Sequence, residues 1–434
     1  MHILYVVHQF FPNHYTGTER LVLNLSKQMQ RCGHHVTVLT YGITETEGFE
    51  ERGKFLFKRY QYQGVPVVSV RHKVIPDLID FTIIDDEMVS LFDAILAGEE
   101  IDVVHICHMM RVGSVIRFAK KREIPVLLTL TDFWLMCPRG IATNQSGALC
   151  DGSEDGGKCL RECYQGSYWT SLIGARFMQA KEALTYSSAV VSATRFLRSM
   201  FVNKGFRDDM IIIPFGKDYR NAQSNNRTYD SDSEITIGYL SSLNAHKGAH
   251  LLLEAYRQVN PSNIRLQIFG DTSSNPEYFE TLKKIAGDNS KIEFCGRYDY
   301  ESMPEILQKI DIIAVPSLWW ENSPLVLLRA LVHNVPAIVS DLGGLTEAIT
   351  DGVNGFTFSV APPSSSANDT RSLSTVIRII SENPSIVNEL KAHILSPPRI
   401  EEEAFAYENL YYATLQRQSA PQYLQDPVMQ GVDG

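Results

Sequence analysis

No stretch of the sequence approaches the roughly 20 consecutive apolar residues that a membrane-spanning helix needs. Basic charge is also in short supply. Lys and Arg number 40 against 50 Asp and Glu, a net charge of −10. That balance argues against a nucleic-acid binder held by phosphate contacts. The densest basic cluster is only Lys120-Lys121-Arg122, which reads as a solvated helix end. No repeat shorter than a domain is visible, and the opening "MHILYVVHQFFP" has neither a basic leader nor a cleavage site. A cytosolic chain is expected, with peripheral contact at the inner face of the membrane as its furthest reach. Seven cysteines in such a chain point to thiols or metal ligands over disulfides. What remains is ordinary for a soluble globular protein: 44% hydrophobic, 21% charged and 434 residues long, suited to two domains of about 200 residues each.

The apolar pattern fits that division. "ILYVV" (3–7) is a strand buried on both faces, and Leu21, Leu25 and Met29 then repeat at helical spacing. Gly33 stops that helix before a second strand, "HVTVLT" (35–40), so the opening is a βαβ unit of a parallel sheet. Strands at 102–107, 125–132, 189–194 and 210–216 complete a first α/β domain spanning 1–219. "RNAQSNNRTYDSDS" (220–233) reads as a linker. A second series, 234–398, has strands at 234–240, 264–270, 291–296, 311–317 and 336–341. A helix at 399–418 and a loose tail at 419–434 close the chain. The expected architecture is two doubly wound α/β domains in tandem.

In open α/β sheets, ligands sit beyond the carboxyl ends of the strands. Three loops there carry chemistry. "HYTGTERLV" (14–22) offers Gly17 for close backbone approach and Thr18 as a helix cap. "YLSSLNAHKGAHLLLEA" (239–255) carries Lys247 at the mouth of a strand–helix loop, a point charge suited to phosphate. "PSLWWENSPLVLLRA" puts Glu321 in a loop, where it can accept from sugar hydroxyls. Ser323-Pro324 then reads as N-cap and first residue of a helix whose free amides at Leu325 and Val326 suit a diphosphate. Arg329 lies on the same face four residues after Leu325.

Taken together, "GKD" (216–218), "HKG" (246–248) and above all "PSLWWENSPLVLL" through "SDLGGLTEAITDGVNGF" resemble glycosyltransferase family 4, retaining enzymes of the GT-B fold. The likeness covers most of the chain. It implies two Rossmann-like domains facing a central cleft, with the 399–418 helix crossing back to the first domain. It implies a nucleotide-diphosphate sugar as donor, a glycan or lipid-linked acceptor on the first domain, and no metal in the chemistry. Carried over by position, Lys247, Leu325 and Val326 hold the departing diphosphate, and Glu321 meets the sugar hydroxyls. Asn322 and Ser323 belong to the same donor loop, and Gly17 and Thr18 approach from the other domain. His105 and Asp132 are the acceptor-side candidates, with His108 behind them. The expected function is transfer of a sugar in surface polysaccharide biosynthesis; a catalytically silent GT-B subunit of a glycosylation complex is the alternative.

Three positions depart from the family pattern. Arg329 stands where a second glutamate would accept from the ribose diol, Ser242 where many members carry an arginine, and Thr131 where many carry a histidine. A guanidinium cannot accept a hydrogen bond, so Arg329 is expected to supply the positive charge that Ser242 lacks.

Cys137, Cys150, Cys159 and Cys163 fall in a glycine-rich insertion, 137–163. Four thiolates around a structural zinc would close such a loop, and Cys159-x3-Cys163 has fitting spacing for one half. An iron–sulfur cluster ranks second, and four free thiols are the alternative.

Overall fold

The computed structural model of the chain describes residues 1–419 except 45, 46, 221 and 361–370. The expected loose tail, beyond its first residue, lies outside the described residues. Among the described residues, two sheets organise the protein. The first has nine strands, with His2–Val7 near its centre, bracketed in parallel by His35–Tyr41 and Val103–Ile106. Beyond Val103–Ile106 come Val126–Leu130, Ala189–Ser192 and Ile211–Ile212, again parallel. These strands read as continuous apolar runs because helices cover both faces of the sheet.

The other edge was not expected. Val65–His72 pairs in parallel with His35–Tyr41, and then Phe55–Tyr62 and Glu50–Arg52 turn back antiparallel. The segment "KFLFKRYQYQ" (54–63) is therefore mostly strand. Its alternation of apolar and polar side chains fits a half-buried edge.

The second sheet has six parallel strands in the order Ile292–Gly296, Ile264–Phe269, Ile235–Leu240, Ile312–Val315, Ala337–Ser340 and Gly355–Phe358. The last of these had no counterpart among the expected strands. Residues 222–233 do not hang free. Asn225 is fully buried with its amide on the Ile310 carbonyl at 2.8 Å, and the Tyr229 hydroxyl donates to Asp311 at 2.6 Å. The segment is strapped along the second domain, which its polar composition concealed.

The Ile400–Ser419 helix packs on the first sheet. Ala404, Tyr407 and Tyr411 join Tyr5, Cys107 and Val191 in one apolar cluster. Burying an aromatic ring of 150–250 Å² contributes about 4–6 kcal/mol by area, as an upper bound. The tyrosine hydroxyls stay satisfied: Tyr411 meets Tyr5 at 3.0 Å and His105 at 2.6 Å, and Tyr407 meets Thr129 at 2.9 Å. Glu403 on the same helix accepts from the Gly216 amide at 2.8 Å, tying the crossover to the point where the chain leaves the first domain. Among the described residues, no helix is long and apolar enough to cross a membrane.

Candidate active site between the two sheets

Strand order fixes where a site can form. In each sheet the chain reverses direction of winding beside its first strand, so loops leaving the neighbouring carboxyl ends diverge and open a crevice. The two crevices face one another across a cleft of about 820 Å³, within the size range of small-molecule sites. Gly17, Thr18 and Asp132 line it from the first domain. Lys247, Glu321, Asn322, Ser323, Leu325 and Val326 line it from the second. Of the eleven donor- and acceptor-side candidates read from the sequence, all but His105 and Arg329 meet here.

Glu321 is the electrostatic centre of the second wall. Lys247 Nζ, Ser317 Oγ and Trp319 Nε1 each donate to its Oε1 at 2.7 Å. Burial opposes ionisation of this carboxyl, but the Lys247 ammonium and the other two donors outweigh it and hold its pKa below the ordinary value. The ammonium also lies 4.4 Å from the centre of the Trp319 ring. Local backbone geometry makes the pairing possible. Gly248 has φ +74°, and a Cβ there would stand 1.8 Å from the Pro316 carbonyl oxygen, so the lysine loop can seat against the glutamate loop only with glycine. Gly344 does the same on the far side, where a Cβ would stand 1.7 Å from the Asn322 carbonyl oxygen.

The helix after Glu321 runs Leu325–Val332, with Pro324 in the cap position. It starts one residue later than expected, and Ser323 lies outside it. Leu325 and Val326, its first two residues, still line the cleft. Opposite stands the start of the Gly17–Arg31 helix, and a Cβ on Gly17 would meet Leu325 Cδ1 at 3.8 Å. Two helix N-termini, each with a positive dipole end, thus face one space. The cap of the first is Thr16 instead of Thr18; its hydroxyl donates to Glu19 at 2.6 Å.

Asn322 does different work from its neighbours. Its Oδ1 accepts from Thr194 at 2.7 Å and its Nδ2 donates to the Thr131 carbonyl at 3.1 Å, so the side chain joins the two domains beneath the cleft. Glu347 reinforces that joint by accepting from the Arg195 and Phe196 amides at 3.0 and 2.6 Å. Those amides begin the Arg195–Val202 helix of the first domain.

On the first wall, Asp132 meets His108 Nε2 at 3.0 Å. The Thr131 hydroxyl is turned to the Cys107 carbonyl at 3.0 Å. His105 is elsewhere. It is fully buried between Tyr411 and Thr129, at 2.6 and 2.7 Å, and burial pushes its pKa down to about 3. A neutral imidazole sealed behind the sheet belongs to the core and meets no acceptor.

Arg329 also departs from expectation. It is buried, is absent from the cleft wall, and directs Nη1 at the Asp218 carbonyl at 3.5 Å. The positive charge missing at Ser242 is not replaced from there. Two guanidiniums that sequence reasoning missed line the cleft instead. Arg20, one helical turn into the Gly17–Arg31 helix, stands 3.6 Å from Glu301 across the opening, and Arg297 lies over the Tyr15 ring at 5.3 Å. The position of Arg20 three residues after Gly17 was the available signal. Trp320, also missed, packs against Phe196 with the rings tilted by 37° and donates to the Cys150 carbonyl at 3.2 Å.

The four insertion cysteines line one small cavity beside this wall, and all are free thiols. As they stand, no group of three or more His, Cys, Asp or Glu among the described residues is arranged to hold a metal ion.

Two family models match, "Glycosyl transferase 4-like domain" over residues 16–216 and "Glycosyl transferases group 1" over residues 234–375. An uncharacterized glycosyltransferase of Methanocaldococcus jannaschii is 30% identical over 125 residues, 29% of this chain and 32% of that protein. The lipopolysaccharide 1,2-N-acetylglucosaminetransferase of Salmonella typhimurium is 26% identical over 181 residues, 38% of this chain and 48% of that one. The chain thus spans between about a third and a half of the length of these two relatives. Among solved structures, Anabaena HepE in complex with UDP and glucose superposes with a TM-score of 0.65 at 16% identity, covering 95% of this chain and 100% of that one.

Proposed function

The chain belongs to the GT-B glycosyltransferases, with family 4 the fit of its first domain, and from that premise we propose that it is a retaining enzyme. It moves a sugar from a nucleotide-diphosphate donor to a glycan or lipid-linked acceptor in surface polysaccharide biosynthesis. The observation that supports this most is the Lys247–Glu321 pair at 2.7 Å, in the same cleft wall as the helix start at Leu325. The donor diphosphate lies against the Leu325 and Val326 amides and draws the Lys247 ammonium. Glu321, kept ionised, accepts from the sugar hydroxyls, and Asp132 faces the acceptor. The acceptor hydroxyl attacks from the side of the leaving group: its oxygen bonds to the anomeric carbon as the bond to the diphosphate oxygen breaks. Its proton passes to that departing oxygen. Catalysis is then positioning plus stabilisation of developing diphosphate charge, with no metal in the chemistry.

The name of the Salmonella relative supports a surface glycan as the destination, and the UDP in the Anabaena complex supports a nucleoside-diphosphate donor. Peripheral contact with the inner face of the membrane, through a lipid-linked acceptor, is part of the same proposal. A silent subunit draws support from Thr131, Ser242 and the inward turn of Arg329; the intact Lys247–Glu321 wall speaks against it. The test is a screen of UDP-, GDP-, ADP- and dTDP-sugars for binding and slow donor hydrolysis, with the anomeric configuration read by NMR. Hydrolysis with retention is expected. Binding without turnover on any donor or acceptor favours the silent subunit, and neither binding nor turnover contradicts the proposal.

A further inference from the structure

We propose that Cys137, Cys150, Cys159 and Cys163 hold one zinc ion as a structural tetrathiolate, and that the loaded loop braces the cleft wall at Trp320. The inference does not rest on the donor or reaction proposed above.

Folding brings the four thiols together from two directions. Residues 142–150 form a hairpin: Thr143 bridges Leu149 antiparallel, and the Asn144 and Cys150 amides donate to the Ala148 and Ala142 carbonyls at 2.9 and 2.8 Å. Cys137 precedes this hairpin and Cys150 ends it. Cys159 and Cys163 lie one helical turn apart, joined by the Cys163 amide on the Cys159 carbonyl at 2.9 Å, so they share a face. All four line a cavity of about 10 Å³, room for one water-sized species.

The segment needs such a centre. Between residues 138 and 158 only Ala142 is a buried hydrophobic residue, so the loop has almost no core of its own. Small units of that kind draw their folding energy from a bound metal. The lining also suits the loaded centre. Arg139 and Lys158 line the same cavity and offset the double negative charge of a zinc tetrathiolate.

The thiols are not yet gathered around a point; Cys150 Sγ donates to the Gly152 carbonyl at 3.3 Å. Ligation requires them to turn inward about single side-chain bonds. Each of the four loses its proton to solvent as its sulfur bonds the ion. Because the Cys150 carbonyl accepts from Trp320, next to Glu321 in sequence, fixing Cys150 fixes that part of the cleft wall.

The experiment uses the full chain purified without chelator. Elemental analysis should find about one zinc per chain, falling below about a tenth in Cys159→Ser and Cys163→Ser and unchanged in Cys32→Ser. A second measurement does not depend on variants that fold. Wild-type protein, stripped of metal and refilled with cobalt(II), should show the intense visible bands of a tetrahedral thiolate site and a sulfur-to-cobalt charge-transfer band. Less than about a tenth of an equivalent of zinc together with no such cobalt spectrum overturns the proposal. So does iron in place of zinc.

Discussion

Two buried polar clusters, one in the cleft wall and one behind the first sheet, are built from similar parts to opposite ends. In the second domain, Lys247, Ser317 and Trp319 converge on Glu321, and the cluster opens on about 820 Å³ of space. In the first, Tyr5, Tyr407, Tyr411 and Thr129 surround His105, and the Ile400–Ser419 helix seals the cluster from every ligand. Both shift the pKa of their central group. Only one gives that group something to act on. A perturbed titratable residue at a strand end therefore marks a site only where the fold leaves room beside it.

The comparison breaks most visibly through Lys247. Lys247→Ala should lower kcat/KM for the donor about 10²- to 10³-fold, the size of effect seen when one donor to a developing anion is removed. Its urea midpoint should also fall, because buried Glu321 loses its cation and keeps only Ser317 and Trp319 as donors. Steady-state kinetics and a denaturation curve on the same preparation check both halves. In the sealed cluster only stability should respond. Tyr411→Phe leaves His105 and Tyr5 without their shared hydroxyl and should cost about 1–3 kcal/mol of stability, with kcat unchanged.

His105 sharpens the contrast through pH. Its pKa is near 3 folded against an ordinary 6.5. Below pH 6.5 the unfolded chain takes up a proton that the folded chain refuses, so stability is lost as pH falls. One such histidine removes about 2 kcal/mol between pH 6.5 and 5. His105→Asn should flatten that part of the stability–pH curve, measured by urea unfolding at several pH values. An equal slope in both proteins would place the imidazole in contact with water.

Smaller effects follow at the joint. Thr194→Val removes the hydroxyl that bonds Asn322 and should cost about 1 kcal/mol, seen as a few-fold rise in donor KM. Arg329→Met should change nucleotide affinity by less than about threefold, or 0.7 kcal/mol, because Arg329 lies outside the cleft wall.

Much of this was legible from residues alone. The parallel strands of both sheets announced themselves as apolar runs such as "ILYVV" and "DIIAVPS", since strands covered on both faces carry no polar alternation. Lys247, Glu321 and Leu325 were legible because each sits at a strand-end loop with its own local signature. Phe55–Tyr62 was lost to its alternating pattern, and Gly355–Phe358 to its brevity. Contacts between domains left no local trace. Nothing near Asn322 says that Thr194 will bind it, and nothing near Trp320 names the Cys150 carbonyl. Arg329 misled for the same reason: helical spacing gave its face, but the Asp218 carbonyl that draws it inward lies 111 residues away.

The most direct test is a crystal structure with a nucleoside diphosphate bound. The terminal phosphate is predicted within about 3 Å of Lys247 Nζ and of the Leu325 or Val326 amide. A phosphate seated elsewhere, with Lys247 still paired to Glu321 and those amides uncontacted, would contradict the account.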